Sequence, residues 1–357
     1  MRTIGTMITR MVLTRFFAIL IGISLFVLTL EVVSYSREIL ALDHGSASTM
    51  GRYMLHRLPA TLSTFLLMSF LLALLLTLAE LSYRNEITAI WASGISPLRL
   101  IGMLLPLSII VGILHFVLAD RAIPWAAPTL RQWGIADYGE KRLKIGERDP
   151  IWMRSGLDVV RAGKANADSS RLEDVYIFTR DESGILKQQI IAQSASLTGA
   201  TWTLENVALI EHGNSQPAML PTLTYIGNVR PAEAGLRSGD PEEMTLGDLS
   251  YFIANAGFGI RPTYAYETWW HKRLVPFITA AIMTALCVPL ASRFRRGGGL
   301  GILFSAGVGL GFVYFILEGM MVSAGELGFL SPMLAAWLPT ALFGLLALSF
   351  ILRSERA

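Results

Sequence analysis

Six long apolar segments, three on each side of a polar stretch at residues 121–268, constrain the fold of this chain most strongly. Each segment is long enough to cross a bilayer, because a helix of about 20 residues spans ~30 Å of hydrocarbon. The segments are Phe16–Val33, Leu58–Ala79, Leu100–Ala119, Leu274–Ser292, Gly297–Leu317 and Leu327–Leu352. With 53% hydrophobic and 16% charged residues, they predict six transmembrane α-helices and one extramembrane domain between helices three and four.

The arginines beside these segments predict the orientation of the chain in the membrane. They are Arg2, Arg10, Arg15, Arg84, Arg99, Arg293, Arg295, Arg296, Arg353 and Arg356. All of them fall on one side if both termini are cytoplasmic, as the positive-inside rule requires. The polar stretch then lies outside the cytoplasm. The first apolar segment is longer than the core of a cleavable signal peptide, and we expect it to remain as a membrane anchor.

The polar stretch at 121–268 has the pattern of an all-β domain. Short β-branched and aromatic runs alternate with turn residues, which is typical of a sandwich, a jelly roll or a barrel. The predicted strands are Leu157–Ala162, Val175–Thr179, Ile185–Leu197, Thr201–Ile210 and Thr222–Ile226, with Trp202, Leu204 and Val207 in the core. Thr245 is expected to cap a short helix at Leu246–Ala254. His212 stands in a predicted loop and is not expected to be catalytic.

The loop between the second and third segments predicts a short helix of about ten residues at 85–94. Asn85 is a good N-cap, and Glu86 lies in the first turn, where the helix dipole favours an acid. The spacing of Ile87, Ile90 and Trp91 places them in one apolar stripe. Gly94 and Pro97 are expected to end the helix. Two interpretations remain open: an interfacial helix resting on lipid headgroups, or a docking helix for a cytoplasmic partner.

Several basic residues lie at the outer ends of the segments, where the positive-inside rule predicts few. They are Arg37, Arg52, His56, Arg57, Arg121, His271, Lys272 and Arg273. One interpretation is that each long side chain snorkels to the membrane surface. The other is a cationic rim that binds phosphates, for which arginine is well suited. An anionic lipid with phosphates at the outer surface and several acyl chains below would fit this rim.

Two acids, Glu31 and Glu318, lie in or near the hydrocarbon, where charge is costly and often functional. They are candidates for a gate, or they simply reach the interface. His56 with Arg57, and His271 with Tyr266, are the candidates for an enzymatic site, and neither has an evident triad partner. The single Cys287 excludes an intrachain disulfide, and no Cys/His cluster has metal-ligand spacing. The net charge of +3 does not favour nucleic acid as a partner.

Two runs of this sequence resemble the LptF/LptG (YjgP/YjgQ) permease family of the lipopolysaccharide exporter. One is NEITAIWASGIS at 85–96, and the other is GFVYFILEGMMVSAGELGFLSPMLAAWLP at 311–339, which is more similar to the LptG branch than to the LptF branch. The layout, with a β domain after the third span, is similar as well. The resemblance covers nearly the whole chain, and it implies a transport permease rather than an enzyme.

The resemblance implies a set of partners in a Gram-negative cell envelope. Two permeases would pair with a dimer of an LptB-like ATPase, which binds the ATP and Mg²⁺, since this chain has no phosphate-loop sequence and is expected to bind no cofactor. The helix at 85–94 would be the coupling helix, with Glu86 facing the ATPase. Spans one and five would form a lateral gate. The periplasmic, jellyroll-like domain would pass lipopolysaccharide to LptC-like and LptA-like proteins.

The predicted organisation is therefore residues 1–120 with three transmembrane helices, the β domain at 121–268, and 269–357 with three more, in the bacterial inner membrane. The alternatives to a lipopolysaccharide permease of the LptG branch are an LptF paralogue with the same role, a mechanical coupler that carries no substrate, and a membrane-bound envelope enzyme.

Overall fold

The structure is a computed structural model that describes residues 2–42, 47–138, 151–165, 170–181, 183–198, 201–211, 216–227, 240–254, 261–293 and 300–355. The chain divides into two compact units, which are described separately. A helical unit contains Met1–Ala136 and Thr268–Ala357, and a β unit contains Asp137–Glu267.

The α-helices of the described residues are, in chain order, α1 (Arg2–Ser34), α2 (Ser36–Ala41), α3 (Ala47–Tyr83), α4 (Glu86–Ala92), α5 (Pro97–Val117), α6 (Ile123–Trp133), α7 (Leu246–Ala254), α8 (Thr263–Leu274), α9 (Pro276–Arg293), α10 (Leu300–Glu326) and α11 (Pro332–Glu355). Five helical stretches of the described residues are long and apolar enough to cross a membrane, and α8 with α9 makes a sixth if this pair, bent by 50°, is one span. Five of the six predicted spans are therefore confirmed, and the sixth corresponds to this bent pair. The bend falls where Pro276 begins α9, since proline cannot continue the hydrogen bonding of the preceding helix.

Most helix ends differ from the ends of the apolar segments, and three of them show why. The third span does not stop at Ala119: a π-helical turn at Leu118–Ala122 joins α5 to α6, and helix continues to Trp133. The fifth continues to Glu326 and the sixth begins only at Pro332. Gly328, with φ of 77°, lies in the turn between them. Hydropathy shows where a span lies but not where its helix ends, because helix ends depend on caps and turns.

The helical unit packs around α3. Phe16 of α1 meets Phe70 of α3 edge to face, with ring centroids 6.0 Å apart. On the α10 side, Gly307 and Gly311 accommodate Leu75 and Leu71, because a Cβ at either glycine would lie 2.3 or 2.2 Å from a leucine methyl group. Close helix contact at small residues is the usual basis of packing in membranes.

The β unit contains one six-stranded antiparallel sheet among the described residues. Its strands are β1 (Ile151–Ser155), β2 (Asp158–Ala165), β3 (Arg171–Arg180), β4 (Leu186–Thr198), β5 (Thr201–Glu211) and β6 (Ala218–Tyr225), and they pair in sequence order. The all-β prediction is confirmed, as is the core position of Trp202, Leu204 and Val207, which are at most 2% exposed. Strand β1 was not predicted from the sequence. His212 lies outside the described residues.

A row of irregular residues crosses this sheet. It consists of Gly163, Asp174, Gln193, Asn206 and Pro221, one from each strand from β2 to β6. The residues on both sides of this row are paired across every ladder, whereas the residues of the row are not. Asp174 and Asn206 have φ of 53°, and proline has no N–H to donate. The sheet therefore has a transverse crease, as bulged strands produce.

The sheet also curls until its two edges approach each other. The Tyr225 hydroxyl at the end of β6 donates to the Asp158 carboxylate at the start of β2 at 2.9 Å. Beyond β6, a Cβ at Gly227 would lie 2.7 Å from the Ser155 hydroxyl of β1. Burial raises the pKa of the Tyr225 phenol, which keeps it a donor. A creased sheet with adjoining edges encloses its core as a jellyroll-like domain does.

The helix predicted after the sheet is confirmed with its cap. Helix α7 begins at Leu246, and the amide of Asp248 donates to the Thr245 hydroxyl at 3.1 Å. The Asp248 carboxylate accepts in return from the amide of Thr245 at 3.1 Å. This reciprocal pair is a capping box, and it fixes the start of α7.

Candidate functional site

The loop helix α4 is present where the sequence predicts it, but it is shorter. It contains Glu86–Ala92, seven residues, and Asn85 precedes it in the left-handed conformation with φ of 57° and no side-chain cap bond. Gly94, with φ of 84°, ends it. The hydroxyl of Ser96 then accepts from the amide of Arg99 and caps α5. The helix is thus held between two turns at one end of the bundle.

The apolar stripe of α4 faces the helical unit. Ile87 is 2% exposed and Ile90 is 7% exposed, both inside the main core cluster, and Trp91 packs against that cluster. Glu86 is half-buried at the start of the helix, and Thr88, Ala89 and Ala92 are exposed. The residues of the predicted docking site therefore divide into two sets. Ile87 and Ile90 fix α4 on the bundle, whereas a partner would meet Asn85, Glu86 and the small exposed side chains.

The basic residues predicted at the outer end also divide into two sets. Arg37, Arg52 and Arg121 are exposed. Arg121 lies 3.7 Å from Asp120 in an ion pair with an 80% exposed arginine side chain, and such a pair holds its arginine weakly. These three arginines therefore lie at the surface of the helical unit.

The other three cations are bound within the helical unit. Arg57 pairs with Glu31 at 2.8 Å, and both side chains are less than a fifth exposed. Arg273 is 4% exposed and donates to the carbonyl of Ala119, which ties α8 to the π-helical turn after α5. Lys272 lies 4.0 Å from Glu318 and 4.5 Å from the centre of the Trp269 ring. These contacts hold helices together at the end where the exposed arginines lie.

Both candidate gate acids have basic partners on a neighbouring helix. Glu31 of α1 accepts from Arg57 and, at 2.6 Å, from the Tyr53 hydroxyl of α3. Glu318 of α10 faces Lys272 of α8. A charge that is paired in this way is less costly inside a bilayer. The two acids connect α1 to α3 and α10 to α8.

The two histidines considered for catalysis have aromatic neighbours. The His56 ring stacks on Trp125 with centroids 5.0 Å apart and meets Trp133 edge to face at 5.2 Å. Its Nδ1 is 2.8 Å from the carbonyl of Arg52 and donates to it, since a carbonyl oxygen can only accept. His271 Nδ1 accepts from Trp337 at 3.4 Å. In the part of the chain that the structure describes, no group of acids, cysteines and histidines has the geometry of a metal site.

The sequence did not indicate a charge cluster that joins α1 to α3. Glu80 of α3 accepts from Arg15 of α1, and Arg84 pairs with the same carboxylate at 2.7 Å. The i, i+4 spacing of Glu80 and Arg84 could have indicated that pair. The contact with Arg15 spans 65 residues, and no local pattern indicates it.

The fold defines a class of protein: a multi-pass membrane protein that carries an all-β domain between its third and fourth spans. The chain belongs to the lipopolysaccharide export system permease LptF/LptG family, whose model matches residues 6–353. It is similar to the lipopolysaccharide export system permease protein LptG of Escherichia coli K12, with 22% identity over 356 residues that cover 96% of each chain. The LptG protein of Haemophilus influenzae is 21% identical over 298 residues, 80% of each chain.

Proposed function

We propose that this chain is a permease subunit of an ABC transporter that extracts lipopolysaccharide from the inner membrane and passes it to a periplasmic bridge toward the outer membrane. The family match over nearly the whole chain carries this proposal. The similarity to two LptG proteins favours the LptG role over the LptF role. The aromatic surroundings of His56 and His271 give no support to the envelope enzyme.

The orientation of the chain in the membrane is proposed from the arginines beside the spans, which are expected on the cytoplasmic side. Both termini and α4 lie in the cytoplasm, and the β unit lies in the periplasm. An LptB-like ATPase dimer, which supplies ATP and Mg²⁺, would dock on the exposed side of α4, and an LptF-like permease would complete the transport path. LptC-like and LptA-like proteins would receive the lipid from the domain at 121–268.

The proposed substrate contact is the set of three exposed outer arginines, Arg37, Arg52 and Arg121. Arg57, Lys272 and Arg273 support this rim from within, because they bind neighbouring helices. The rim would face phosphates of lipid A, which bind guanidinium groups through two hydrogen bonds. Glu31 and Glu318 would position the helices of a lateral gate made by spans one and five.

The rim is tested by neutralising its three exposed arginines together to glutamine. We expect the Kd for lipid A to rise about tenfold, because three exposed charged contacts of roughly 0.5 kcal/mol each sum to ~1.5 kcal/mol. The measurement is equilibrium binding of lipid A to the purified full chain in nanodiscs.

The matched control neutralises three exposed arginines at the opposite end of the helical unit, Arg10, Arg99 and Arg353. Binding in this control should equal that of the parent chain. Equal weakening in both variants would show that only total charge matters, and unchanged binding in the first would remove the rim from the proposal.

A further inference from the structure

We propose that α1 and α3 form a rigid strut, locked in register at both ends by ion pairs, which transmits movement of α4 to the outer end of α1. This inference rests on the proposed function, because it assigns a path for the energy that the ATPase supplies. The positioning residues are Arg15 and Glu80 at one end, and Glu31 and Arg57 at the other.

The apolar contact between the two helices leaves their register weakly defined. The buried residues of α1 recur every four positions, at Ile8, Val12, Phe16, Leu20, Ser24 and Leu28, and each is at most 4% exposed. This single ridge packs into the neighbouring helix as i±4 ridges do. Ser24 is the one polar member of this ridge, so a slide by one turn would again place mostly apolar residues against apolar residues. Lipid would not oppose the slide, because lipid tails are as apolar as leucine. The ridge alone therefore gives little resistance to sliding.

The two ion pairs define the register of α1 against α3. Arg15 and Glu31 lie sixteen residues apart on α1, or about 24 Å along the helix, so the two pairs stand near opposite faces of a bilayer of ~30 Å. A one-turn slide of ~5.4 Å would separate both pairs at once. The outer pair is largely buried, with side chains 16% and 13% exposed, and the Tyr53 hydroxyl also binds Glu31. Breaking it would leave a charge in an apolar region, which is costly.

The inner lock is placed next to α4. Glu80 binds Arg15 of α1 and Arg84 at the end of α3, and α4 begins two residues after Arg84. Ile87 and Ile90 fix α4 on the same core. A displacement of α4 therefore acts on the end of α3, and the two locks require α1 to follow. The exposed face of α1, with Phe17, Phe26 and Val33, would move against whatever lies beside it.

The functional test is a charge swap in the outer lock. In the assembled transporter, Glu31→Arg and Arg57→Glu should each lower the lipopolysaccharide released per ATP hydrolysed by about tenfold, as a lost coupling of ~1.4 kcal/mol predicts. ATP hydrolysis itself should persist. The double variant restores an ion pair, so the lipopolysaccharide that it releases per ATP hydrolysed should return to the value of the parent. Glu38→Arg, an exposed acid on α2 at the same end, should leave the ratio unchanged.

A double variant no better than the single ones, or single variants with an unchanged ratio, would overturn the strut. Failure of the parent complex to release any lipopolysaccharide would instead count against the proposed function.

A second measurement of the strut depends neither on the lipid nor on correct folding of the charge variants. Spin labels at Val33→Cys and Leu55→Cys, both exposed, in a Cys287→Ala background should keep one distance with and without nucleotide. A shift near one helical turn, ~5 Å, would contradict a rigid pair.

Discussion

Asp174 and Asn206 show how single residues shape the β unit. Both have φ of 53°, in the left-handed region that asparagine and aspartate tolerate better than other residues with a side chain. They interrupt the regular strand in the same row, and the Asn206 amide donates to Gln193 at 2.6 Å. The alternation of buried and exposed residues shifts there, since Leu172 and Val175 of β3 are both buried and the two residues between them are exposed.

The crease gives a prediction at Asp174. Replacement by valine should lower the free energy of local opening in β2 and β3 by about 1–2 kcal/mol, because a β-branched residue is strained at positive φ. Replacement by glycine should change it by less than about 0.5 kcal/mol. Hydrogen exchange of the amides in these strands, measured on the full chain in detergent, reports this energy. Equal loss of protection in both variants would mean that the side chain, not the backbone conformation, matters there.

The contacts that a sequence pattern can indicate are local, as the predicted Thr245 cap is. Thr245 and Asp248 lie three positions apart, and a capping box can be identified from that spacing alone. The carboxylate of Asp181 likewise accepts from the hydroxyl of Ser183 and the amides of Ile185 and Ser183, which lowers its pKa. The contacts of Glu31 and Glu80 join different helices. Their partners depend on how α1 and α3 pack, which no local pattern specifies.

Helix α4 is the element on which the transport proposal depends most. Its location and its apolar stripe were predictable because both follow from spacing within a few residues. The sequence could not predict what the apolar stripe packs against. A bilayer surface, a partner protein and the helix bundle are all apolar enough to bury it. The burial of Ile87 and Ile90 in the main core leaves Glu86 as the acidic group available to a partner.

Reversing the charge of Glu86 tests α4 as the docking element. Glu86→Lys should reduce the ATPase that copurifies with the full chain by about tenfold, since it replaces an attraction by a repulsion at a contact of ~1.4 kcal/mol. Copurification from membranes at fixed salt measures this. Glu38→Lys, exposed and at the other end of the helical unit, is the control. Undiminished recovery of the ATPase with Glu86→Lys would exclude Glu86 from the interface.

At the scale of the whole molecule, the six spans and the all-β domain followed from hydropathy and strand patterns. The 50° bend between α8 and α9 and the continuation of α5 into α6 did not, because they depend on Val275–Pro276 and on a π-helical turn within one apolar run. Glu86, the proposed docking acid, lies at one end of the helical unit, and the exposed Arg37, Arg52 and Arg121 lie at the other. A lipid bound at the exposed arginines and an ATPase bound at α4 would be connected through α3.

The central claim, that this chain moves lipopolysaccharide with energy from a separate ATPase, is tested most directly by transfer between purified components. The chain, its copurifying permease and the ATPase are reconstituted in proteoliposomes that contain lipopolysaccharide, and lipid crosslinked to a soluble periplasmic acceptor is measured. Transfer should require both ATP and this chain. Transfer that is equal without ATP, or none despite a bound and hydrolysing ATPase, would contradict it.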